Sequence, residues 1–204
     1  PSNAAGLMNY SFRATDRAGL FVDTGITQVA IFDNDAPTNL VDTSDAAATT
    51  GDNYTFRANA VDNMGVFNIY VVYWYGTSNV TTNATLNASG ALVVVIPWNS
   101  TAQLHYYFAV TDAAGNWLVS SNVTDVNVTD DDAPILVADS TNNATTTGEI
   151  HAFAADITDN IGILGVYVVI DWPDNGTSIN YLMNGTGPYT LDIIVPSGSD
   201  SNFS

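Results

Sequence analysis

Basic residues are nearly missing from this chain of 204 residues, which has no lysine and only three arginines. Its acid is almost all aspartate, since Glu149 is the sole glutamate, and the formal net charge is −18. A chain without a basic patch does not bind nucleic acid, phosphate groups or an anionic membrane surface by charge. Cysteine is absent as well, which excludes disulfides and thiolate zinc sites. No apolar run is long enough to predict a transmembrane helix.

Motifs of catalysis are also missing. The sequence has no Gly-x-Ser-x-Gly, no His-Glu-x-x-His and no phosphate-binding loop. Aspartate pairs, which glycosidases use, are present, but they lie in turns that the chain repeats. A catalytic site is not normally copied once per domain, so the sequence predicts a protein that is not an enzyme. The two histidines, His105 and His151, are predicted to be strand residues, with His105 exposed.

Strand-forming residues dominate what the chain does contain. Hydrophobic residues make up 46% and aromatic residues 11% of it, which is enough apolar material for a core. Val, Ile, Thr, Tyr, Phe and Trp are frequent, and no stretch has a helical period. The predicted fold class is therefore all-β.

Asparagine is frequent, and its positions in the sequence bear on whether the protein is extracellular. Of 22 asparagines, 12 stand in Asn-x-Ser/Thr sequons, about three times the number that chance gives. These are Asn9, Asn53, Asn79, Asn83, Asn87, Asn99, Asn122, Asn127, Asn143, Asn175, Asn184 and Asn202. One interpretation is a Thr-rich strand surface with accidental matches. The other is covalent N-glycosylation, which implies an extracellular or cell-surface protein.

The chain repeats itself after about 97 residues. Residues 35–72 align without a gap on residues 132–169, and 16 of the 38 aligned positions are identical. The matches include the Asp-Ala-Pro hinge, which stands at 35–37 and again at 132–134. A repeat of this length corresponds to one domain.

The start of the chain matches the later part of the same repeat. With a shift of 96, residues 1–19 align on residues 97–115. Both segments contain the motif Tyr-x-Phe-x-(Ala/Val)-Thr-Asp-x-Ala-Gly, at 10–19 and at 106–115. The first residues of the chain are therefore predicted to form the last strands of a domain.

Three domains or parts of domains follow from the two alignments. We expect residues 1–35 to be the C-terminal strands of a partial domain and residues 36–131 to be a complete domain. We expect residues 132–204 to be the N-terminal strands of a partial domain that an equivalent of residues 1–35 completes. The strands that complete it would belong to a longer covalent array of the same repeat or, by strand complementation, to another chain.

Alternation of apolar and polar residues predicts about seven strands in the middle domain. The predicted strands are 38–43, 53–60, 67–75, 91–96, 104–111 and 117–128, with 77–87 as an edge strand or a loop. Short antiparallel strands at this spacing are typical of an immunoglobulin-like (Ig-like) sandwich. The predicted architecture is a series of tandem antiparallel Ig-like β-sandwiches.

These motifs make the chain resemble the tandem Ig-like repeats of bacterial and archaeal surface proteins. The resemblance is carried by the motif at 10–19 and 106–115, by the Asp-Asn-x-Gly turns at 62–65 and 159–162, and by the Asp-Ala-Pro hinge. It covers essentially the whole chain and implies a sandwich fold at a cell surface. Abundant sequons without Cys or Lys are more similar to an archaeal than to an animal surface protein. The hinge also resembles the calcium-binding linkers of cadherin repeats, although their Glu pair is absent.

The hinges and turns provide the candidate site residues. In an Ig-like sandwich, the entry of the first strand lies near the turns after the second and sixth strands. The residues expected together at the end of the middle domain are Asp33, Asp35, Asp62, Asn63 and Asp112. Those of the following domain are Asp130, Asp131, Asp132, Asp159 and Asn160, and Asp16 takes the place of Asp112 in the first repeat. Several carboxylates suit Ca²⁺, a hard cation with oxygen ligands; alternatively, these residues cap their own turns.

Aromatic residues on two equivalent strands suggest a second kind of site. They are Tyr70, Tyr73, Trp74, Tyr75, Tyr167 and Trp172. Because alternate residues of a strand face opposite ways, some of these rings must face outward. One interpretation is a platform on which sugars stack, and the other is packing in the core and against a glycan or a neighbouring domain.

The sequence predicts a structural role: a glycosylated extracellular repeat that builds a surface filament, sheath, S-layer or stalk. Its partners would be neighbouring copies of the same repeat. The alternative is a carbohydrate-binding or adhesive module of a secreted protein, with surface glycans as partners. The structural role predicts equivalent faces on each domain, whereas the alternative predicts an exposed patch on one domain only.

Overall fold

The computed structural model describes residues 5–172 and 178–197. All regular elements in these residues are β-strands, which confirms the predicted all-β class. None of these residues forms a helix that is long and apolar enough to cross a membrane. The strands belong to two compact units: the described residues up to Ile96 with Ala102–Thr129, and Pro97–Thr101 with the described residues from Asp130 onward.

The first unit contains a hairpin and a sandwich. The hairpin strands are β1 (Gly6–Tyr10), β2 (Arg13–Thr15), β3 (Phe21–Asp23) and β4 (Thr27–Ile31). The strands of the sandwich, called here the middle sandwich, are β5 (Thr38–Asp42), β6 (Ala48–Thr49), β7 (Asn53–Val61), β8 (Val66–Tyr75), β9 (Thr82–Thr85), β10 (Ala91–Val95), β11 (Leu104–Asp112), β12 (Trp117–Val119), β13 (Thr124–Val126) and β14 (Val128–Thr129).

Two sheets face each other in the middle sandwich. One has the strand order β10-β7-β5, and the other has the order β12-β11-β8-β9, with β13 also paired to β11. These neighbours are antiparallel, and the short strands β6 and β14 pair in parallel. Two antiparallel sheets with this crossed strand order form an Ig-like sandwich, as the sequence predicted.

The core of the middle sandwich lies between the sheets because the long strands alternate. Tyr54, Phe56 and Ala58 of β7 are buried on one side. Tyr106 and Phe108 of β11 are buried on the other. The rings of Phe56 and Tyr106 meet edge to face at 5.0 Å. Each such side chain stabilises the fold by about 1.5–3 kcal/mol when fully buried.

One predicted strand of the middle sandwich differs from the observed ones. The predicted strand 117–128 is split into β12, β13 and β14. The interruption follows from Ser120, whose hydroxyl accepts a hydrogen bond from the Phe108 amide and donates one to the Asn122 carbonyl. The stretch 77–87 contributes one short edge strand, β9, at Thr82–Thr85, which is one of the two alternatives predicted for it.

His105 is not exposed, contrary to the sequence expectation. It faces out of the sheet, but its ring stacks on Trp74 with 5.4 Å between the ring centroids. Its Nδ1 lies 2.6 Å from Asp125 Oδ1 on the paired strand β13. An aromatic cross-strand neighbour therefore covers a residue that alternation alone assigns to solvent.

The hairpin β1–β4 repeats the local structure of β11 with β12 and β13. Arg13 pairs with Asp23 as Ala109 pairs with Val119, 96 residues later in each strand. The Phe12 amide donates to Thr24 Oγ1 at 2.8 Å. The corresponding Phe108 amide donates to Ser120 Oγ at 3.2 Å. The hairpin thus has the same strand pairing as β11 with β12 and β13.

The second unit contains β15 (Ile135–Asp139), β16 (Ile150–Thr158), β17 (Tyr167–Asp171), β18 (Ser178–Leu182) and β19 (Tyr189–Ile194). Its sheets have the orders β15-β16-β19 and β17-β18. The first matches β5-β7-β10 and the second matches β8-β9, strand for strand. In the described residues of this unit, no strand pairs with the other edge of β17.

Candidate functional site: an acidic cluster at the hinge

Three carboxylates meet at one end of the middle sandwich. Asp33 precedes β5, Asp62 follows β7, and Asp112 ends β11. One carboxylate oxygen from each lies within 4.8 Å of the other two. The Ig-like topology brings these turns together, as the sequence predicted for the entry of the first strand.

Asp62 lies in the turn after β7, and Asp33 lies two residues before the Asp-Ala-Pro hinge. The Met64 amide donates to Asp62 Oδ1 at 2.8 Å, and the Asp35 amide donates to Asp33 Oδ1 at 3.2 Å. The second oxygens, Asp33 Oδ2 and Asp62 Oδ2, are buried and accept no hydrogen bond from any described residue. Turn capping therefore accounts for one oxygen of each carboxylate and leaves the other without a partner.

Asp112 is the most buried member of the cluster, with 2% of its surface exposed. Burial raises the pKa of its carboxyl, but hydrogen bonds from Asn116, Gly115 and Ala114 lower it by more, so the pKa lies below its usual value. The Asn116 carboxamide donates to Asp112 Oδ2 at 2.7 Å and to the Asp33 carbonyl at 3.4 Å. Asn116 was not among the predicted site residues, although its spacing of four residues from Asp112 marks a side-chain cap.

Few basic side chains are available to offset the negative charge of the cluster. The chain has no lysine, and Arg13 and Arg57 form ion pairs with Asp23 and Asp45. Two like charges about 5 Å apart repel by roughly 3 kcal/mol at an effective dielectric constant of about 20. Three carboxylates with two buried, unbonded oxygens are the donor set that a hard cation prefers.

Asn63 connects Asp33 to Asp35, the first residue of the Asp-Ala-Pro hinge. Its carboxamide lies 3.4 Å from Asp33 Oδ1 and 3.1 Å from Asp35 Oδ2. We call this arrangement, an asparagine amide bonded to both acids of an Asp-x-Asp hinge, the hinge clasp. It ties the segment before β5 to the turn after β7.

The second unit contains the same clasp. Asn160 Nδ2 lies 3.0 Å from Asp130 Oδ1 and 3.1 Å from Asp132 Oδ2. The Asn160 amide also donates to the carbonyl of Trp98 at 2.7 Å. Asp159 caps its own turn by accepting hydrogen bonds from the amides of Ile161 and Gly162.

Two of the predicted site residues lie apart from these contacts. Asp16 is exposed in the turn between β2 and β3, and its Oδ1 accepts hydrogen bonds from the Ala18 and Leu20 amides. Asp131 is exposed between the two acids of the second clasp. Asp16 caps its turn in the same way as Asp112, and among the described residues it belongs to no cluster of acids like that of Asp33, Asp62 and Asp112.

The asparagines of the described sequons are all exposed. They are Asn9, Asn53, Asn79, Asn83, Asn87, Asn99, Asn122, Asn127, Asn143 and Asn184. The sequons at Asn175 and Asn202 lie outside the described residues. An exposed asparagine side chain is what attachment of a glycan requires.

An aromatic face covers the outer side of the larger sheet of the middle sandwich. Tyr70 stacks on Trp117 at 5.6 Å, and Trp74 meets Tyr107 edge to face at 6.4 Å. Of the aromatic residues singled out in the sequence, Tyr73 and Tyr75 face the other way and pack against the core. This face is not repeated in the second unit, where Asp171 takes the place of Trp74.

Comparisons with known proteins give matches among solved structures. No family model matches the chain, and no curated protein matches it either. Among solved structures, the chain is similar to the crystal structure of the FN1–FN3 domains of chicken CNTN1, with 9% identity and a TM-score of 0.39. The alignment covers 93% of this chain and 66% of that one, so the chain spans about two thirds of its length. The sandwich assignment above rests on strand order and core packing.

Proposed function

We propose that this chain is a structural module of an extracellular, N-glycosylated surface assembly such as a filament, sheath, S-layer or stalk. Ig-like sandwiches follow one another in it as spacers, and its partners are other copies of the same repeat. The observation that carries the proposal is the hinge clasp, which occurs with the same contacts at Asn63 and at Asn160. The same contacts therefore recur where the chain enters each of the two sandwiches, as expected of a repeated spacer.

The proline of the hinge supports this role. Pro37 is buried directly before β5, and proline both restricts the backbone and removes an amide donor where strand pairing has to stop. Pro134 has the same place before β15. Together with the clasp, it gives each sandwich a defined point of entry.

Glycosylation is the second part of the proposal. The ten described sequon asparagines are exposed, and several lie on or beside strand edges that would otherwise pair with other chains. Glycans at these positions shield the edges from aggregation and proteolysis. Glycosylation supports a location outside the cell, and the sequons together with the lack of Lys and Cys support an archaeal surface.

Calcium is the third part of the proposal. Asp33, Asp62 and Asp112 would hold the ion, since their oxygens lie within 4.8 Å of one another and two are buried without a hydrogen-bond donor. The bound cation would offset the repulsion among the carboxylates and fix the hinge to the turns after β7 and β11. Its role is structural, and no reaction is assigned to it.

Thermal unfolding tests the calcium site. Wild-type protein in excess Ca²⁺ is expected to melt several degrees higher than in a chelator, because a ligand at about 100 times its Kd stabilises the folded state by about 2.7 kcal/mol. Asp62→Asn is expected to abolish the difference. The control Asp192→Asn, an exposed acid on β19, removes the same charge and keeps the difference. Equal melting temperatures of the wild type in Ca²⁺ and in chelator contradict the site.

Immunogold electron microscopy tests the structural role. Antibodies against residues 36–131 are expected to label a periodic layer or filament on the surface of cells that make the protein. Mass spectrometry of the protein from those cells is expected to find glycans at exposed sequons. Label inside the cell, together with unmodified asparagines, overturns the proposal.

The aromatic face favours a second candidate function, carbohydrate binding. Tyr70, Trp74, Tyr107 and Trp117 form an outward patch on one sandwich, and aromatic rings of this kind stack on sugars. A glycan array with the isolated chain separates the two functions. Binding that Trp74→Ala abolishes, and that the control Trp98→Ala retains, supports the second candidate. Trp98 is 63% exposed and lies outside the face.

A further inference from the structure

We propose that the hairpin β1–β4 of one copy completes the second-unit sandwich of another copy of this chain. The strand β1 would pair with the open edge of β17, with the Tyr10 ring in the cavity between the two sheets and its hydroxyl on Asp139. This deepens the proposed function by naming the contact that joins one copy to the next.

The hairpin carries a ready-made core face. Its residues equivalent to Leu104, Tyr106 and Phe108 are Met8, Tyr10 and Phe12. In β11 these three positions are 0%, 2% and 2% exposed, whereas in the hairpin they are 47%, 39% and 69% exposed. Side chains of this size normally lie in a core, so an exposed face built from them indicates a surface that another sheet covers.

The second unit offers the sheets that such a face covers. Strands β15, β16 and β19 correspond to the smaller sheet of the middle sandwich, and β17 and β18 correspond to part of the larger one. In the middle sandwich, β8 has β9 on one side and β11 on the other. In the second unit, β17 has β18 on one side, and its other edge is open among the described residues. An open edge pairs readily with an added strand.

A cavity in the second unit marks the position of the Tyr10 ring. Its volume is about 130 Å³, and it lies between the sheets, lined by His151, Phe153, Ile170, Trp172, Ile193 and Val195. His151 and Phe153 are the equivalents of Tyr54 and Phe56. In the middle sandwich, the ring of Tyr106 packs against both of those residues, at 6.3 and 5.0 Å. Tyr10 is the residue of the hairpin that corresponds to Tyr106.

One polar contact is specific to this arrangement. The Tyr106 hydroxyl donates to Asp42 Oδ2 at 2.8 Å, while Asp42 Oδ1 accepts from the Ser44 amide at 2.9 Å. Asp139 is the equivalent of Asp42, and its Oδ1 likewise accepts from the Thr141 amide at 2.9 Å. The orientation of Asp139 is therefore already that of an acceptor for a tyrosine hydroxyl, and the Tyr10 hydroxyl is the matching donor.

The pairing of β8 with β11 fixes the register between copies. Tyr107 pairs with Val72, and Ala109 pairs with Tyr70. The corresponding pairs between copies are Ser11 with Val169 and Arg13 with Tyr167. Both members of the first pair face away from the core, and their Cβ atoms would be about 4.5–5.5 Å apart.

Disulfide cross-linking in this register tests the proposal, since the chain contains no cysteine of its own. Full-length Ser11→Cys protein is mixed with full-length Val169→Cys protein under mild oxidation. A disulfide-linked heterodimer is expected, because paired Cβ atoms at this distance come within reach of a disulfide. Mixing Ser11→Cys with Tyr167→Cys, which is two residues out of register on the same face, is expected to give at least about tenfold less, since the diagonal distance is about 7–8 Å.

Two results overturn the proposal. One is an equal yield of dimer from the in-register and the out-of-register mixtures. The other is preferential Ser11→Cys homodimer, which means that two hairpins cover each other. The single-cysteine proteins do not depend on a new core packing, because Ser11 and Val169 are exposed.

Association measured by light scattering tests the core contact with a matched pair. Phe12 and Phe21 are 69% and 63% exposed, but Phe12 corresponds to the core residue Phe108 and Phe21 to the outward Trp117. Phe12→Ala is expected to abolish association, and Phe21→Ala is expected to retain it. Tyr10→Phe is expected to weaken association roughly tenfold, since a hydrogen bond to a charged group is lost. Equal association of the two alanine variants overturns the proposal.

These outcomes are independent of the surface location. Cross-linking in register with no label at the cell surface retains the contact between copies and removes the proposed function. Surface labelling without in-register cross-linking retains the function and removes the contact.

Discussion

The same ten-residue motif is buried in one part of this chain and exposed in another. In β11 it forms the central strand of a sandwich, and Phe108 is 2% exposed. In the hairpin it forms strands with the same pairing, and Phe12 is 69% exposed. The amides of both phenylalanines bond to a hydroxyl side chain twelve residues further along. Local sequence is therefore sufficient for the hairpin, while burial depends on whether β7 and β8 are there to cover it.

This contrast has an energetic consequence. In the middle sandwich, the side chains of this motif stabilise the fold because their apolar surface is removed from water. In the hairpin, the equivalent side chains leave that surface in water. The hairpin is held instead by its ladder of hydrogen bonds and by an exposed ion pair between Arg13 and Asp23. A two-stranded element of this kind is marginal without a partner sheet.

The largest effect is expected from truncating the two equivalent phenylalanines. Phe108→Ala is expected to destabilise the middle sandwich by about 3–5 kcal/mol, because it leaves a cavity in a packed core. Phe12→Ala is expected to change the stability of the dilute chain by less than about 0.5 kcal/mol. Urea unfolding followed by tryptophan fluorescence measures both. Similar losses for the two variants would mean that the hairpin is covered within the monomer.

A medium effect is expected at alkaline pH, where buried tyrosines ionise. Burial raises the pKa of Tyr54, and it raises the pKa of Tyr75 to about 12. Because the folded pKa lies above the unfolded value of about 10, this stabilisation is fully present below pH 10 and is lost as the pH rises toward 12. Tyr75→Phe is expected to reduce the fall in melting temperature between pH 10 and 12. If the melting temperature of the variant falls as steeply as that of the wild type, groups other than Tyr75 cause the fall.

The smallest effect is expected from the ion pair of the hairpin. The hydrogen bond from Arg13 lowers the pKa of Asp23 below its usual value. The stabilisation is therefore present above pH of about 4 and is lost as the pH falls through the lowered pKa. Arg13→Ala is expected to remove this transition from the hairpin resonances in an NMR titration and to leave the melting temperature of the middle sandwich unchanged. A lower melting temperature would show that the hairpin supports the sandwich.

Much of the fold could be predicted because apolar and polar residues alternate regularly in the long strands. Alternation in β7 and β11 identified the buried face, with Tyr54, Phe56, Tyr106 and Phe108 inside. The two-residue strand β6 was not predicted, since Ala48 and Thr49 are too short to show a period. Its pairing with β14 comes from the closing of the sandwich.

The candidate site was predictable in part. The repeat aligned Asp33 with Asp130 and Asn63 with Asn160, and their contacts are the same in the two units. The predicted site residues did not include Asn116, whose carboxamide orients Asp112. The sequence also did not indicate which carboxylate oxygens lack a donor, because that depends on how three turns meet.

The sequence by itself determined the long strands, most of their inward and outward faces, the period of the repeat and the place of the acidic hinge. These properties follow from side-chain alternation and turn chemistry, which act over a few residues. Only the tertiary structure decided which copy of the motif is buried, how Asn63 joins Asp33 to Asp35, and which oxygens of Asp33 and Asp62 are buried without a donor among the described residues. Those outcomes depend on contacts between segments far apart in the chain, since a strand that is ready for a core becomes part of one only when another sheet covers it.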